Sequence, residues 1–229
     1  MIGPEMGGTS ASLGLRSERV AEAVSLAEQR PDFQIAGTND QCFLAEVKKI
    51  SPSATEAASI AQFETTGSCG FSTIPGRKLR RLIGRVNAQL RTLAHVELPG
   101  ALVVGNPNAH LAFHTDSYAV LTAMRGLDTV SVTVPRDASI APVFGHVYAG
   151  PGKQMTKSAN TSTSAIICPR EVDAMGLTVD VYHNAFAARP LSEGALSHPS
   201  VRQWKLTADD STWELMAAAT PVTRAAPVA

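Results

Sequence analysis

This sequence has few of the features that mark extracellular or membrane proteins. Its three cysteines, Cys42, Cys69 and Cys168, are widely spaced and odd in number, which excludes a disulfide framework and a CxxC metal site and favours a reducing compartment. The N-terminus lacks a basic segment followed by an apolar core, so no signal peptide is predicted. No apolar run approaches the roughly 20 residues of a membrane-spanning helix. We therefore expect a cytoplasmic protein without a membrane partner.

The sequence also has no excess of charge of either sign. Twenty basic residues balance twenty acidic ones, so a general basic field for nucleic acid is absent and such binding must use a local patch. The 229 residues are 44% hydrophobic and 17% charged, which is typical of a globular protein with a full core. No GxSxG motif is present and the six histidines are scattered, so a serine or cysteine hydrolase has little support.

The distribution of turn-forming residues predicts one folded unit with loose ends. Residues 1–15 are rich in Gly, Ser and Thr and predict a flexible leader, and residues 217–229 form an Ala/Pro/Thr tail without a core-forming pattern. Residues 16–216 are expected to form a single α/β domain, a mixed central sheet flanked by helices. Periodicity predicts helices over 18–29, 78–94 and 118–125, and strands over 100–105, 129–134, 164–168, 177–182 and 201–206.

A strand-like run near the N-terminus carries two charged residues in an apolar setting. From Phe43 to Ile50, apolar residues occur at both odd and even positions, which predicts a strand buried on both faces. Glu46 and Lys48 share one face of this strand. Burying a carboxylate and an ammonium is costly unless they pair or bind something. This strand is therefore the first place to look for a site.

The turn before this strand decides how close Asp32 lies to Glu46. Residues 37–40, Gly-Thr-Asn-Asp, predict a hairpin loop. In the tightest register Asp32 lies opposite Ala45, and a shift of one residue puts it opposite Glu46. Facing residues have Cβ atoms roughly 5 Å apart, so either register brings the two carboxyls within several ångströms. Such a pair suits Mg²⁺, and Lys48, about 7 Å farther along the strand, can position a nucleophile or counter developing charge.

The order Pro31-Asp32, a hairpin and then Glu46-Val47-Lys48 resembles the signature of the PD-(D/E)xK nuclease superfamily, which has the restriction-endonuclease-like fold. The resemblance covers about residues 16–105. It implies that Asp32 and Glu46 hold Mg²⁺ or Mn²⁺ and that Lys48 assists the attacking water. The implied activity is hydrolysis of phosphodiester bonds in nucleic acid, DNA in the first instance, by an endonuclease or exonuclease.

The resemblance extends to residues outside the hairpin. A glutamate of the family's first helix often completes the metal site, and Glu22 is the residue in that position here. Some relatives carry a helical glutamine beside the catalytic strand, near where Gln89 lies. Many nucleases of this fold dimerise, so a homodimer is implied as well.

The clearest predicted helix, over 78–94, has a basic face. Its apolar residues recur at spacings of three and four. The other face, with the residues leading into it, holds the densest basic cluster of the chain, whose members include Arg77, Lys78, Arg81 and Arg85. These residues can contact the phosphates of nucleic acid. An ordinary solvated helix face explains the pattern equally well.

Two other interpretations of the charged hairpin remain open. In the first, Asp32 caps a local turn, Glu46 and Lys48 form an ordinary ion pair along a strand, and the chain is an unrelated α/β binding module in which the hairpin is only structural. In the second, the chain keeps the nuclease fold without cleavage and binds nucleic acid or a protein partner.

Two later segments combine a chemical alternative with a structural one. Residues 150–153, Gly-Pro-Gly-Lys, contain glycine and lysine as a phosphate-binding loop does, but the GxxxxGK[ST] spacing is missing, so a turn is predicted. His183 and Asn184, at a predicted strand end, can hydrogen-bond a substrate, although asparagine there is more typical of a turn.

Overall fold

The computed structural model describes residues 16–19, 31–38, 41–136, 139, 141–172, 176–207 and 213–216. In chain order the strands are β1 (Arg16–Arg19), β2 (Phe33–Ala36), β3 (Cys42–Lys49), β4 (Gly100–Gly105), β5 (Asp128–Thr133), β6 (Val143–Ala149), β7 (Ala165–Val172), β8 (Gly176–His183), β9 (Val201–Leu206) and β10 (Trp213–Leu215). The helices are α1 (Ala54–Thr66), α2 (Arg77–Thr92) and α3 (Ser117–Arg125), with short 3-10 turns at Ala94–Val96, Ala109–His114 and Glu193–Leu196.

Eight strands form one mixed sheet in the order β1-β2-β3-β4-β7-β8-β9-β10, and β5 and β6 form a separate two-stranded ribbon. β1, β2 and β3 are antiparallel neighbours, whereas β3, β4 and β7 run parallel to one another. Parallel neighbours need long crossover connections, and these connections carry α1 and α2 after β3, and α3 and the ribbon after β4. The protein is therefore an α/β fold with a mixed central sheet, as predicted.

Both faces of the central strands are buried. Leu44 and Leu102 belong to one core with residues of α2 and α3, while Phe43 and Ala101 belong to a second core on the opposite face. The alternation along β3 therefore places Glu46 and Lys48 on the face that α2 covers. This agrees with the two-sided burial that the apolar residues at both parities predict.

The helix α2 packs on the sheet through a regular apolar stripe. Its buried residues are Leu79, Ile83, Val86 and Leu90, at the spacing of three and four that keeps side chains on one helix face. Gly76 precedes the helix with φ of 69°, and a Cβ there would lie 2.6 Å from the Ala119 carbonyl oxygen. Glycine at this position thus allows both the left-handed backbone and the close approach of α2 to α3.

The predicted helix over 18–29 is wrong at its start. Residues Arg16–Arg19 form β1, which pairs with β2 as the edge of the sheet, because tertiary pairing overrides a weak local helix pattern. Residues 20–30, which include Glu22, lie outside the described part of the chain, as do the predicted leader and tail. The other predicted helices and strands occur within a few residues of their expected bounds. In the described part of the chain, no helix has both the length and the apolar character to cross a membrane.

Candidate metal centre

The hairpin register places Asp32 beside Glu46. β2 and β3 pair Phe33 with Ala45 and Ala36 with Cys42, which is one residue away from the tightest register. Asp32 directly precedes the first pair, at the position opposite Glu46. Of the two registers that the sequence allows, the structure therefore has the one that brings the two carboxyl-bearing residues face to face.

Asp32 is held against β3 by a backbone hydrogen bond. Its Oδ2 accepts from the Val47 N–H at 2.8 Å, just past the last pair of the β2–β3 ladder. The side chain is partly buried, and its negative charge contributes to raising the pKa of Glu46. Asp32 thus terminates the hairpin and also acts electrostatically on its neighbour.

Glu46 is the most unusual group in the hairpin. The residue is 1% exposed, and burial raises the pKa of its carboxyl, with the Asp32 charge adding to this against the opposing effects of Lys48 and Gln89. Its Oε1 accepts a hydrogen bond from Lys48 Nζ. Its Oε2 is buried without a hydrogen-bond partner among the described residues. A buried carboxylate oxygen without a partner is costly, and it is also a good ligand for a hard cation.

Lys48 points along the same face and pairs with Glu46. Its side chain is 30% exposed, so part of the ammonium remains open to solvent. The contact between Lys48 and Glu46 is the ordinary strand ion pair that is expected if the hairpin has only a structural role. The hydrogen bond between Asp32 and the Val47 N–H is the local cap expected in that case. Among the described residues no group of three or more His, Cys, Asp or Glu side chains could hold a metal. The site thus offers two carboxylates, and Mg²⁺ is commonly bound by one or two carboxylates with several waters retained.

The basic cluster divides into one engaged residue and three exposed ones. Lys78 Nζ lies 2.5 Å from Glu56 Oε2 and donates to the Ser51 carbonyl at 2.7 Å, so its charge already has a partner. Arg77, Arg81 and Arg85 are exposed.

The helical spacing places Arg85 on the side of α2 that faces Glu46. The Gln89 side chain lies within hydrogen-bonding reach of the Glu46 carboxyl and opposes the rise that burial causes in its pKa. Arg85 lies one turn before Gln89 on the same side of the helix. Arg81 lies one further turn away. Arg81 and Arg85 are exposed along α2, whereas Lys78 supports the fold through its contact with Glu56.

Sequence reasoning missed a second buried glutamate close to the hairpin. Glu56, on the first turn of α1, accepts hydrogen bonds from the Ser53 N–H at 2.6 Å and from Lys78, and its Oε1 lies 2.7 Å from His114 Nε2. Burial alone would raise the pKa of Glu56, but the hydrogen bonds from Lys78, Ser53 and His114 outweigh it and lower the pKa to about 2. The Ser53-x-x-Glu56 spacing is a capping-box signature that could have revealed the start of the helix.

A buried aspartate on the far half of the sheet was also missed. Asp180 is 1% exposed and accepts two hydrogen bonds from the Arg202 guanidinium at 2.8 and 2.9 Å and one from Trp204 Nε1 at 2.9 Å. Arg170 Nε lies 3.0 Å from Asp180 Oδ2, an ion pair without hydrogen-bond alignment. Because the partners of Asp180 come from β7 and β9, no local sequence motif predicts this cluster. Its contacts link β8 to both neighbouring strands.

His183 and Asn184 both have structural partners. The His183 Nε2 lies 2.8 Å from the Gln203 amide oxygen, and burial lowers the pKa of the imidazole. The Asn184 Oδ1 accepts from the Phe186 N–H at 3.0 Å, which is the turn that the sequence predicts.

No protein-family model matches this chain, and neither a curated protein nor a solved structure matches it. A function for this chain must therefore be inferred from the residues of the site.

Proposed function

We propose that this protein is a metal-dependent nuclease with a restriction-endonuclease-like core, which hydrolyses phosphodiester bonds in nucleic acid, most directly DNA. The observation that carries the proposal is the buried Glu46 Oε2, which lacks a partner in the described part of the chain and lies beside Asp32 and Lys48. Mg²⁺ or Mn²⁺ would be held by Glu46 and Asp32. When bound, such an ion stabilises charge on a phosphoryl oxygen and lowers the pKa of a coordinated water.

Each hairpin residue has a distinct part in this proposal. Glu46 and Asp32 supply carboxylate oxygens, and a nearby cation would lower the raised pKa of Glu46 because it favours the ionised form. The Lys48 ammonium carries three donors and is partly exposed. It can therefore hold the attacking water or a phosphoryl oxygen while it remains in contact with Glu46.

The exposed arginines of α2 supply the binding surface. Arg77, Arg81 and Arg85 are exposed along α2, the helix that packs on the face of the sheet to which Glu46 belongs. Because the chain as a whole is neutral, the contacts of the proposed nuclease with the phosphates of its nucleic-acid substrate would lie on this face and would weaken with salt. Lys78 contributes by fixing Glu56 rather than by direct contact.

The second candidate is a nuclease-fold protein that has lost cleavage and binds nucleic acid or a protein partner. The observation that favours it is the internal pairing of the hairpin, where Lys48 contacts Glu46 and Asp32 accepts from Val47. A homodimer is compatible with either candidate. The three cysteines are free thiols, which supports a cytoplasmic location as part of the proposal.

A cleavage assay tests the proposal directly. Wild type would be incubated with single- and double-stranded DNA and with RNA, in Mg²⁺, Mn²⁺ or EDTA, beside Lys48→Ala and Asp32→Asn. Asp32→Asn keeps an oxygen that can accept from Val47 but removes the charge. Lys49→Ala is the matched control, since Lys49 is exposed and alternates to the other face of β3.

Cleavage that needs the metal, is lost in Lys48→Ala and Asp32→Asn and persists in Lys49→Ala would support the nuclease. Equal background from all four proteins in every condition would refute it. Binding to nucleic acid that then depends on Arg81 and Arg85 would favour the inactive nuclease fold.

A further inference from the structure

A cleft of about 310 Å³ lies at one end of the central strands, and the candidate metal centre lies towards their other end. β8 ends at His183, which pairs with Ala165, the first residue of β7. The residues that follow β8 line the cleft, so the cleft lies where β7 and its parallel neighbours begin. Lys48 is near the end of β3, which runs in the same direction. The cleft and the metal centre are therefore separate places on the molecule.

The cleft has a concentrated positive charge. Three of the eleven described residues that line it are basic, Arg125, Lys153 and Lys157, and none of the eleven is acidic. The chain as a whole has equal numbers of basic and acidic residues. A lining of one sign in a neutral protein favours an anionic ligand.

The backbone that carries the two lysines is held in place. The N–H groups of Gln154 and Met155 both donate to the Met124 carbonyl at the end of α3, at 3.2 and 3.0 Å. The Lys153 stem lies against Gly126, where a Cβ would come within 3.1 Å of its Cγ. Lys157 is in a tight turn closed by two backbone hydrogen bonds between Thr156 and Ala159. The cations are thus presented from fixed positions.

The end of α3 does not account for this charge. Basic residues often follow a helix because they compensate the partial negative charge of its last carbonyls. Here the Met124 carbonyl already accepts two backbone N–H groups. Neither Lys153 nor Lys157 has an ion-pair partner in the described residues. Their ammonium groups remain available to a ligand.

Apolar side chains form part of the remaining wall of the cleft, including those of Met124, Met155, Phe186 and Leu206. Asn184 fixes the segment after β8, because its Nδ2 donates to the Thr163 carbonyl at 2.8 Å and its Oδ1 accepts from Phe186 N–H at 3.0 Å. Phe186 lines the cleft together with Met124 and Met155. A volume of about 310 Å³ is within the range of small-molecule pockets, roughly 300–1,000 Å³.

We propose that this cleft binds a small organic phosphate. A phosphate monoester carries a charge of nearly −2 and three acceptor oxygens. The ammonium groups of Lys153 and Lys157 can donate charge-assisted hydrogen bonds to these oxygens, and Arg125 adds positive charge to the lining. The apolar or aromatic body of the ligand packs against Phe186 and the two methionines. Lys153 thereby acts as a phosphate ligand although its Gly-Pro-Gly-Lys segment lacks the spacing of a phosphate loop.

Titration calorimetry with phenyl phosphate, inorganic phosphate and benzyl alcohol tests the site on the full chain. Phenyl phosphate is expected to bind most tightly, inorganic phosphate more weakly and the neutral alcohol not at all. Lys153→Ala/Lys157→Ala should weaken phenyl phosphate by at least about tenfold, since charge-assisted hydrogen bonds are lost. Lys49→Ala, at the other end of the central strands, should bind as wild type does.

A cleft-filling variant provides the second arm. Ala185→Trp adds bulk at an exposed position without changing charge, and it should abolish phenyl phosphate binding while circular dichroism shows a folded protein. A 5′-phosphorylated dinucleotide, compared with its unphosphorylated form, distinguishes a nucleic-acid end from a free small molecule. The proposal is overturned if wild type shows no saturable binding of phenyl phosphate, if benzyl alcohol binds as well, or if both cleft variants bind like wild type.

Discussion

Glu46 in β3 and Glu56 in α1 are both buried and lie ten residues apart in the chain, but their surroundings shift the pKa values of the two carboxyls in opposite directions. Glu56 has a hydrogen-bonded lysine, histidine and backbone N–H around it, and its pKa falls to about 2. Glu46 has Lys48, the Gln89 side chain and an acidic neighbour around it, its Oε2 is buried without a hydrogen bond in the described chain, and its pKa rises. Both residues are buried, Glu46 with 1% and Glu56 with 8% exposure, so burial alone does not determine the role of a glutamate. A fully satisfied carboxylate stabilises the fold, whereas an incompletely satisfied one is retained at the expense of stability and points to function.

The largest expected effect is on cleavage. Glu46→Gln should lower the rate of Mg²⁺-dependent cleavage at least about a hundredfold, equivalent to about 2.7 kcal/mol of transition-state stabilisation, because a metal ligand is removed. Glu56→Gln should leave the rate per folded molecule nearly unchanged. Both are measured with a fluorescent DNA substrate. Equal losses in the two variants would erase the distinction between the glutamates.

The same two substitutions should have the opposite ranking in their effect on the free energy of unfolding, with Glu56→Gln the more damaging. Glu56→Gln leaves Lys78 without its anion and should lower the free energy of unfolding by about 2 kcal/mol. Glu46→Gln removes a buried charge whose ionisation opposes folding at neutral pH, and it should raise that free energy by up to about 1 kcal/mol. Urea denaturation at pH 7 without metal reports both. A loss of stability in Glu46→Gln would show that its ion pair with Lys48 outweighs the burial cost.

Mg²⁺ should stabilise wild type but not Glu46→Gln. At a concentration ten times its Kd, a ligand bound only by the folded state adds about 1.4 kcal/mol. The thermal midpoint of wild type and of Glu56→Gln should therefore rise with Mg²⁺, while Glu46→Gln stays constant. A midpoint that rises equally in all three proteins would mean that Mg²⁺ binds elsewhere.

The smallest expected effect is on the pH dependence of stability. Because the pKa of Glu56 is lowered from 4.5 to about 2 on folding, its contribution is present above pH 4.5 and is lost as the pH falls towards 2. Between pH 4.5 and 3.5 this loss is about 1 kcal/mol, and Glu56→Gln should lack it. Glu46 has the opposite sign, since its burial cost is relieved once the carboxyl is protonated. The Glu46 effect falls mainly above pH 4.5 because its pKa is raised on folding, and the Glu56 effect falls below pH 4.5. Denaturation curves from neutral pH down to pH 3.5, compared between the variants, therefore separate the two groups.

The sequence predicts the central sheet well because its signal is local. Apolar residues at both parities identify β3 as a strand buried on two faces, and the stripe of Leu79, Ile83 and Val86 identifies α2. β1 could not be found this way. Its Arg-Ser-Glu-Arg sequence has no strand pattern and forms a strand by pairing with β2.

In the candidate site, too, the features that follow from local sequence pattern could be predicted, and those that depend on distant residues could not. The shared face of Glu46 and Lys48 follows from strand alternation, and one of two allowed registers placed Asp32 opposite Glu46. The environment of Glu56 could not be predicted, because His114 is 58 residues away in the chain. The same is true of Asp180, whose partners Arg170 and Arg202 come from two other strands. Long-range pairing decides which buried charges are satisfied, and periodicity contains no information about it.

The residues just before β5 and just after β6 lie next to each other at the base of the two-stranded ribbon. The Gly150 N–H donates to the Leu127 carbonyl at 2.6 Å, so the two ends of the segment that forms the ribbon are already in contact. Because β5 and β6 pair only with each other among the described strands, we expect a short linker in place of this segment to leave the strand register of the main sheet unchanged. The ribbon carries exposed Val132, Val143 and Phe144, which makes it the natural segment to trim when the protein must be concentrated for crystallisation.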